Sequence, residues 1–203
     1  MITYESLKHN EEIRTYIRCA DDSLRALGFT EHSFAHVTRV SEVAADILEQ
    51  LGYDAHTVEL TKIAGYLHDI GNLVNRVDHS QSGAVMAFRI LDHMEMPPAD
   101  IATVVTAIGN HDEGTGVPVN AVSAALILAD KSDVRRTRVR NADFATFDIH
   151  DRVNYSVSES RLTVNEDRTA LRVIHAVDQV ADIVQISCNF GKLDHLRIVP
   201  QRL

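Results

Sequence analysis

The chain has 203 residues, 45% of them hydrophobic and 24% charged, the balance of one globular domain with room for a small appendage. Its formal net charge of −9 excludes a sequence-independent nucleic-acid binder, which needs a basic face, yet is compatible with a small phosphorylated ligand held by local cations. No apolar run approaches the ~20 residues of a membrane span, and the first residues lack the apolar core of a secretory signal, so a cytoplasmic protein is expected.

Asn10 followed by Glu11 and Glu12 reads as a helix N-cap with helix-favouring acids, and Gly28 ends that first helix. A second helix is predicted from about Glu31 to Leu51, with Val37, Val40, Val43, Ala44 and Ile47 at helical spacing and Gly52 closing it. Asp54 caps a third, striped by Leu60, Ile63, Ala64 and Leu67, which should stop near Gly71. A fourth covers about Ser80 to Met94, and Pro97 with Pro98 opens a fifth that reaches His111. Gly114 and Gly116 make a break, and Pro118 sits in the first turn of a sixth helix through Val122, Ala125, Leu126, Leu128 and Ala129.

After Asp133 the character changes. Arg135, Arg136, Arg138 and Arg140 form a basic cluster, read as a solvated run balancing nearby acids, with neutralisation of a nucleotide or phosphosugar as the other reading. Arg161 to Val164 and Ala170 to Ile174, separated by Asn165, Glu166 and Asp167, predict a β-hairpin. From Gln179 to Leu203 the pattern selects no element. The expected architecture is mainly α, a helical bundle over residues 1–140 with a small C-terminal α+β extension, 141–203, packed on it. Cys19 and Cys188 are too few for a disulfide framework and read as two reduced thiols in or near the core.

Eleven histidines are unusual for this length, and four positions stand out among them and the acids: His36, His68 with Asp69, His111, and Asp130. Each falls in or at the end of a helix that also carries a core-facing stripe. Adjacent helical residues point ~100° apart, so His68 and Asp69 cannot both be solvated if Leu67 and Ile70 pack inward. Buried imidazoles and carboxylates are costly without partners, and a shared metal gives several of them one reason to converge. Imidazole plus carboxylate without thiolate suits iron, manganese, zinc or cobalt in an open catalytic site. Asp69 is the natural bridge between two ions, and His79 and His111 are placed to hold the second. His32, four residues before His36 and on the same helical face, is a ligand, a phosphate contact or a partner orienting His36. Arg76 and Lys131 are candidate phosphate contacts. Asp112 and Glu113 read as proton-transfer groups or ordinary surface acids, and His9, His56, His93, His150, His175 and His195 as background.

In order, His36-Val-Thr-Arg-Val, Leu67-His68-Asp69-Ile70-Gly71 and Ala129-Asp130-Lys131 resemble the HD superfamily of metal-dependent phosphohydrolases, over roughly Thr30 to Asp133. That resemblance implies an HD-type bundle. It implies one metal held by His36, His68, Asp69 and Asp130, and another by Asp69, His79 and His111, as in the family's binuclear members. The Gly-Tyr-Pro signature of the cyclic-di-GMP group is absent. The expected cofactors are two divalent ions, iron or manganese, with zinc, cobalt, nickel or magnesium as alternatives. Asp69 and Lys131 carry the catalytic roles, and Arg76, Lys131 and His32 contact substrate. The expected activity is hydrolysis of a phosphate ester or phosphoanhydride in a nucleotide or related small metabolite. A di-iron oxygenase on the same scaffold and a nucleotide-sensing regulatory domain are the alternatives. No stable nucleic-acid or membrane partner is expected, and a homodimer is compatible with the sequence.

Overall fold

The computed structural model describes residues 2–112, 114, 116–177, 183–188 and 196–201, and for the last two segments the backbone alone. The described chain is mainly helical: α1 Tyr4–Lys8, α2 Glu11–Ala26, α3 Phe34–Leu51, α4 Ala55–Leu67, α5 His79–His93, α6 Pro98–Gly109, α7 Ala121–Ser132 and α8 Ile149–Ser156. Antiparallel strands β1 Val157–Val164 and β2 Leu171–Val177 follow, then a second antiparallel pair, β3 Ile183–Cys188 with β4 Leu196–Gln201. Short 3-10 turns lie at Ile70–Leu73, Arg136–Arg138 and Phe144–Thr146.

Local chemistry accounts for most boundaries. The Asn10 side chain accepts from the amides of Glu12 and Ile13, and Asp54 does the same for His56 and Thr57, so α2 and α4 begin where the sequence places them. The second predicted helix starts later than Glu31. Ser33 is the cap of α3, and the Glu31 carboxylate accepts from the Ser33 amide instead of joining the helix. Pro118 likewise stays outside α7, because Asn120 supplies the cap by accepting from Ser123. α4 ends at Leu67, and residues 70–73 tighten into the 3-10 turn. α1 and α8 were not anticipated. The hairpin is longer than its alternation suggested, with Val164 opposite Leu171 at the turn and Val157 opposite Val177 at the far end. Part of the unassigned Gln179–Leu203 stretch is the β3–β4 pair, and His195 lies outside the described residues.

The core is built by the inward stripes of α3 to α7, with Val40, Ile47, Ile63, Leu67, Val104, Ile108, Leu126 and Ala129 all nearly or fully buried. Burying each larger side chain stabilises the fold by ~1.5–3 kcal/mol, which fixes the helices that carry the polar residues described next. Two glycines set how closely those helices approach. A Cβ on Gly65 of α4 would lie 2.6 Å from Cα of Ser41 in α3. One on Gly71 would lie 1.9 Å from the His79 carbonyl, where the 3-10 turn meets α5. Cys19 is exposed on α2, not near the core, and the Cys188 side chain lies outside the described residues. Among the described residues, no helix is long and apolar enough to cross a membrane.

Candidate metal centre

Six residues from five stretches of the chain converge at the helix ends, His68 and Asp69 being neighbours. His36 is in the first turn of α3, His68 caps the C-terminus of α4, and Asp69 precedes the 3-10 turn. His79 opens α5, His111 follows α6, and Asp130 is in the last turn of α7. His36 and His68 are fully buried, Asp69, His79 and His111 nearly so, and Asp130 is a little more open. Leu67 and Ile70 pack inward beside the pair, so neither His68 nor Asp69 is a solvated surface residue.

The distances divide the cluster in two around Asp69. Its Oδ2 lies 3.4 Å from His36 Nε2 and 3.3 Å from His68 Nε2, and Asp130 Oδ1 lies 3.4 Å and 3.8 Å from the same two nitrogens. Its Oδ1 faces the other way, 3.5 Å from His79 Nε2 and 4.0 Å from His111 Nε2. His36, His68 and Asp130, and His68, Asp69 and His111, are each close enough to hold one metal ion.

The tautomers point the same way. His68 Nδ1 donates to the Gly65 carbonyl at 2.8 Å, His79 Nδ1 to the Arg76 carbonyl at 3.1 Å, and His111 Nδ1 to the Ile108 carbonyl at 2.7 Å. A carbonyl can only accept, so the proton of each neutral ring is on Nδ1 and the lone pair is on Nε2. His36 Nδ1 is likewise committed, to Asp133 Oδ2 at 2.8 Å. His79 Nε2 stands 3.2 Å from His111 Nε2, lone pair toward lone pair, and His36 Nε2 stands 3.3 Å from His68 Nε2. Asp69 Oδ2 is buried without a hydrogen-bond partner. Electron-rich atoms arranged this way fit divalent cations, and the Nδ1 bonds are the orientation that ligating histidines use.

The electrostatics describe a site that demands positive charge. Burial opposes ionisation of Asp69 and Asp130, yet the neighbouring histidines, with Lys131 beside Asp130, hold both carboxyls well below the usual range. Burial and Arg138 work against a proton on His36, but Asp130, Asp133 and Asp69 outweigh them and raise it to about 10. His111 is lowered to about 4, chiefly by burial and then by His68.

Two residues that the sequence did not mark support the cluster. Asp133, almost fully buried, holds His36 and is itself gripped by Arg39 Nε at 3.1 Å and Arg135 Nε at 2.9 Å. Asn72 Nδ2 donates to Asp69 Oδ1 at 3.0 Å and to the Asp69 carbonyl at 2.9 Å. In the sequence Asp133 stood out only as the end of the Lys131-Ser132-Asp133 run that follows Asp130, with no role of its own.

The remaining candidates fall around a cavity of about 360 Å³ that opens onto Asp69, His79 and Asp130. His32 lines it but precedes α3 and so does not share a helical face with His36. It arrives by its own loop, with its amide bonded to Asp21 Oδ1 at 2.9 Å and its ring 5.3 Å from that of His36. Its Nδ1 is 2.8 Å from the Thr30 carbonyl, and burial lowers it to about 3. Arg76 and Lys131 also line the cavity, Arg76 Nη1 3.3 Å from His79 Nε2 and Lys131 Nζ 3.0 Å from Asp130 Oδ2. Asp112 is on the lining, while Glu113 lies outside the described residues. His150, which nothing in the sequence distinguished, is on the lining too.

The arginine cluster is not a solvated run. Arg135 pairs with Glu31 and Asp133, Arg140 clasps both oxygens of Asp21, and Arg138 is buried against the carbonyls of Glu31 and Asp133. These bonds lock the segment after α7 to the loop carrying His32.

A family model described as HD domain matches residues 33–181. An uncharacterized protein of Methanocaldococcus jannaschii is 26% identical over 160 residues, 68% of this chain and 61% of its own length. The chain thus spans about three-fifths of that relative. Among solved structures, the crystal structure of a predicted HD superfamily hydrolase from an uncultured Thermotogales bacterium is similar at 29% identity and a TM-score of 0.50, covering 63% of this chain and 69% of that one.

Proposed function

The chain belongs to the HD-domain family, and from that premise we propose that it is a divalent-metal-dependent hydrolase of phosphate esters or phosphoanhydrides. The observation that carries the reading is Asp69, whose two oxygens face two separate histidine pairs, one of them with no hydrogen-bond partner. His36, His68, Asp69 and Asp130 would hold one ion, and Asp69, His79 and His111 a second. The donor set, imidazole and carboxylate without sulfur, favours iron or manganese over softer metals. When bound, such ions lower the pKa of water and draw charge from phosphoryl oxygens.

The protein's own groups do the rest. Asn72 holds the Asp69 carboxylate and Asp133 holds the His36 ring, so the donors are oriented before anything binds. Lys131 and Arg76 bring positive charge to the cavity beside Asp130 and His79, where phosphoryl oxygens would lie. His32, with its Nδ1 hydrogen committed to Thr30, offers a lone pair to a hydroxyl or water in the cavity. A cavity of about 360 Å³ suits a small phosphorylated metabolite, nucleotides included, better than a polymer.

The test is metal analysis of protein purified without added metal or chelator, beside His79→Ala and His111→Ala, followed by hydrolysis assays on phosphomonoesters, phosphodiesters and nucleoside triphosphates. Two ions per chain, falling toward one in each variant, with manganese-supported release of phosphate, is the expected result. A chain that takes up no metal after reconstitution, or releases no phosphate from any of these with metal bound, sinks the proposal.

A further inference from the structure

The lining of the cavity is divided by charge. Its cations stand beside the metal cluster: Arg76 against His79, Lys131 against Asp130, and Arg138 with Nη1 3.9 Å from Asp133 Oδ2. α8 contributes a different surface, Ile149, His150, Val153 and Asn154 preceded by Asp148, without a lysine or arginine. Ile149 and Val153 are one helical turn apart and therefore share a face. They are 68% and 46% exposed, although they line a cavity. Phe29, half-buried, adds an aromatic ring to the same lining.

α8 is also held firmly. The Asp148 side chain caps it by accepting from Asp151 at 2.7 Å, and Asn154 Oδ1 accepts from the Arg135 amide at 3.2 Å. Arg136 Nε donates to the Tyr155 carbonyl at 2.8 Å, and the Tyr155 ring packs edge-on against Phe144 and Phe147. Apolar side chains left to water on a preformed cavity wall are the usual surface for the apolar part of a ligand. The α8 part of the wall offers no lysine or arginine to a second phosphate or a carboxylate, and Asp148 repels both, while the Arg76 guanidinium lies 5.8 Å from the Phe29 ring centroid.

We propose that Phe29, Ile149 and Val153 form a subsite for the non-phosphoryl part of the substrate, and that this part is an aromatic ring or a similarly flat apolar group. The inference rests on phosphoryl binding at the metal centre as proposed above. α8 thereby sets which phosphorylated compounds fit, while the His/Asp cluster holds the group they have in common.

The experiment is calorimetric binding of phenylphosphonate and methylphosphonate, neither of which requires turnover, to the manganese-loaded protein and to Ile149→Asn and Val153→Asn. Both positions are exposed, so the variants should keep their fold, with metal content and melting temperature as the check. The wild type is expected to bind phenylphosphonate roughly tenfold more tightly, and each variant to bring the two ligands close to parity. Equal affinity in the wild type, or a preference retained in both variants, overturns the subsite and leaves the phosphoryl site standing. Failure to bind either phosphonate overturns the phosphoryl reading and the subsite with it.

Discussion

At His36 two demands meet on one imidazole: Nδ1 is committed to Asp133, and Nε2 faces Asp69 and Asp130. Without a metal, the three carboxylates keep a proton on the ring up to about pH 10. A cation arriving at Nε2 must displace that proton, so below this pKa the apparent metal affinity should rise by about tenfold per pH unit. Chelator competition between pH 7 and pH 10 measures the slope, and a flat profile would show that His36 does not exchange a proton for metal. In Asp133→Asn the slope should flatten, because one of the three carboxylates is gone. The affinity at the alkaline end should also fall by roughly 10–100-fold, because the ring loses the anion that orients it. His36 was legible in the sequence because it sits on an apolar helical stripe ahead of a His-Asp pair. Asp133 was not, because its role exists only through a contact 97 positions away in the chain. Asn72 was hidden for the opposite reason: its partner is three residues away, and an asparagine after a turn is ordinary.

The elements themselves were mostly readable, since α2 to α7 announce themselves through caps and 3.6-residue stripes. The errors are of a few residues, as at the start of α3, where a side chain captured the first amide, and at the ends of α4 and α6, which stop at Leu67 and Gly109. α8 was invisible. It has eight residues with little inward apolar periodicity, and its stability comes from Asn154, Arg136 and the Phe144–Phe147–Tyr155 cluster, all tertiary. The close approach of the 3-10 turn to α5 was equally hidden, although the glycine that permits it follows the His-Asp pair by two residues. Gly71→Ala is therefore the test of geometry at this scale. Its new methyl would meet the His79 carbonyl and the Gly83 amide, both backbone, so neither can swing away as a side chain would. The turn must shift relative to α5, costing about 1–3 kcal/mol or more by overpacking and moving Asp69 away from His79. Lower thermal stability together with loss of one metal per chain is expected. Wild-type stability and full metal content would mean that the approach of these two segments is looser than described.

Seen across the molecule, the cluster is a cross-link. It draws together α3, α4, the 3-10 turn, α5, the segment after α6, and α7, and through Asp133 and Arg135 it reaches Glu31 and the loop bearing His32. In a chain of net charge −9, it also gathers the buried carboxylates of Asp69 and Asp133 and the partly buried one of Asp130, which hydrogen bonds and nearby cations only partly offset. Metal should therefore stabilise the whole fold and not just the cavity. An ion at a hundredfold excess over its dissociation constant contributes about 2.7 kcal/mol if it binds only the folded chain. At about 2–4 °C per kcal/mol for a chain of this size, that amounts to roughly 5–10 °C in melting temperature per ion. Thermal unfolding of chelator-stripped protein against protein reloaded with manganese measures it, and the His111→Ala variant separates the two positions. If both ions bind as the distances suggest, the reloaded variant should recover about half of the wild-type gain. Recovery of all of it would place every stabilising contact at His36, His68 and Asp130, and leave His79 and His111 without a bound ion.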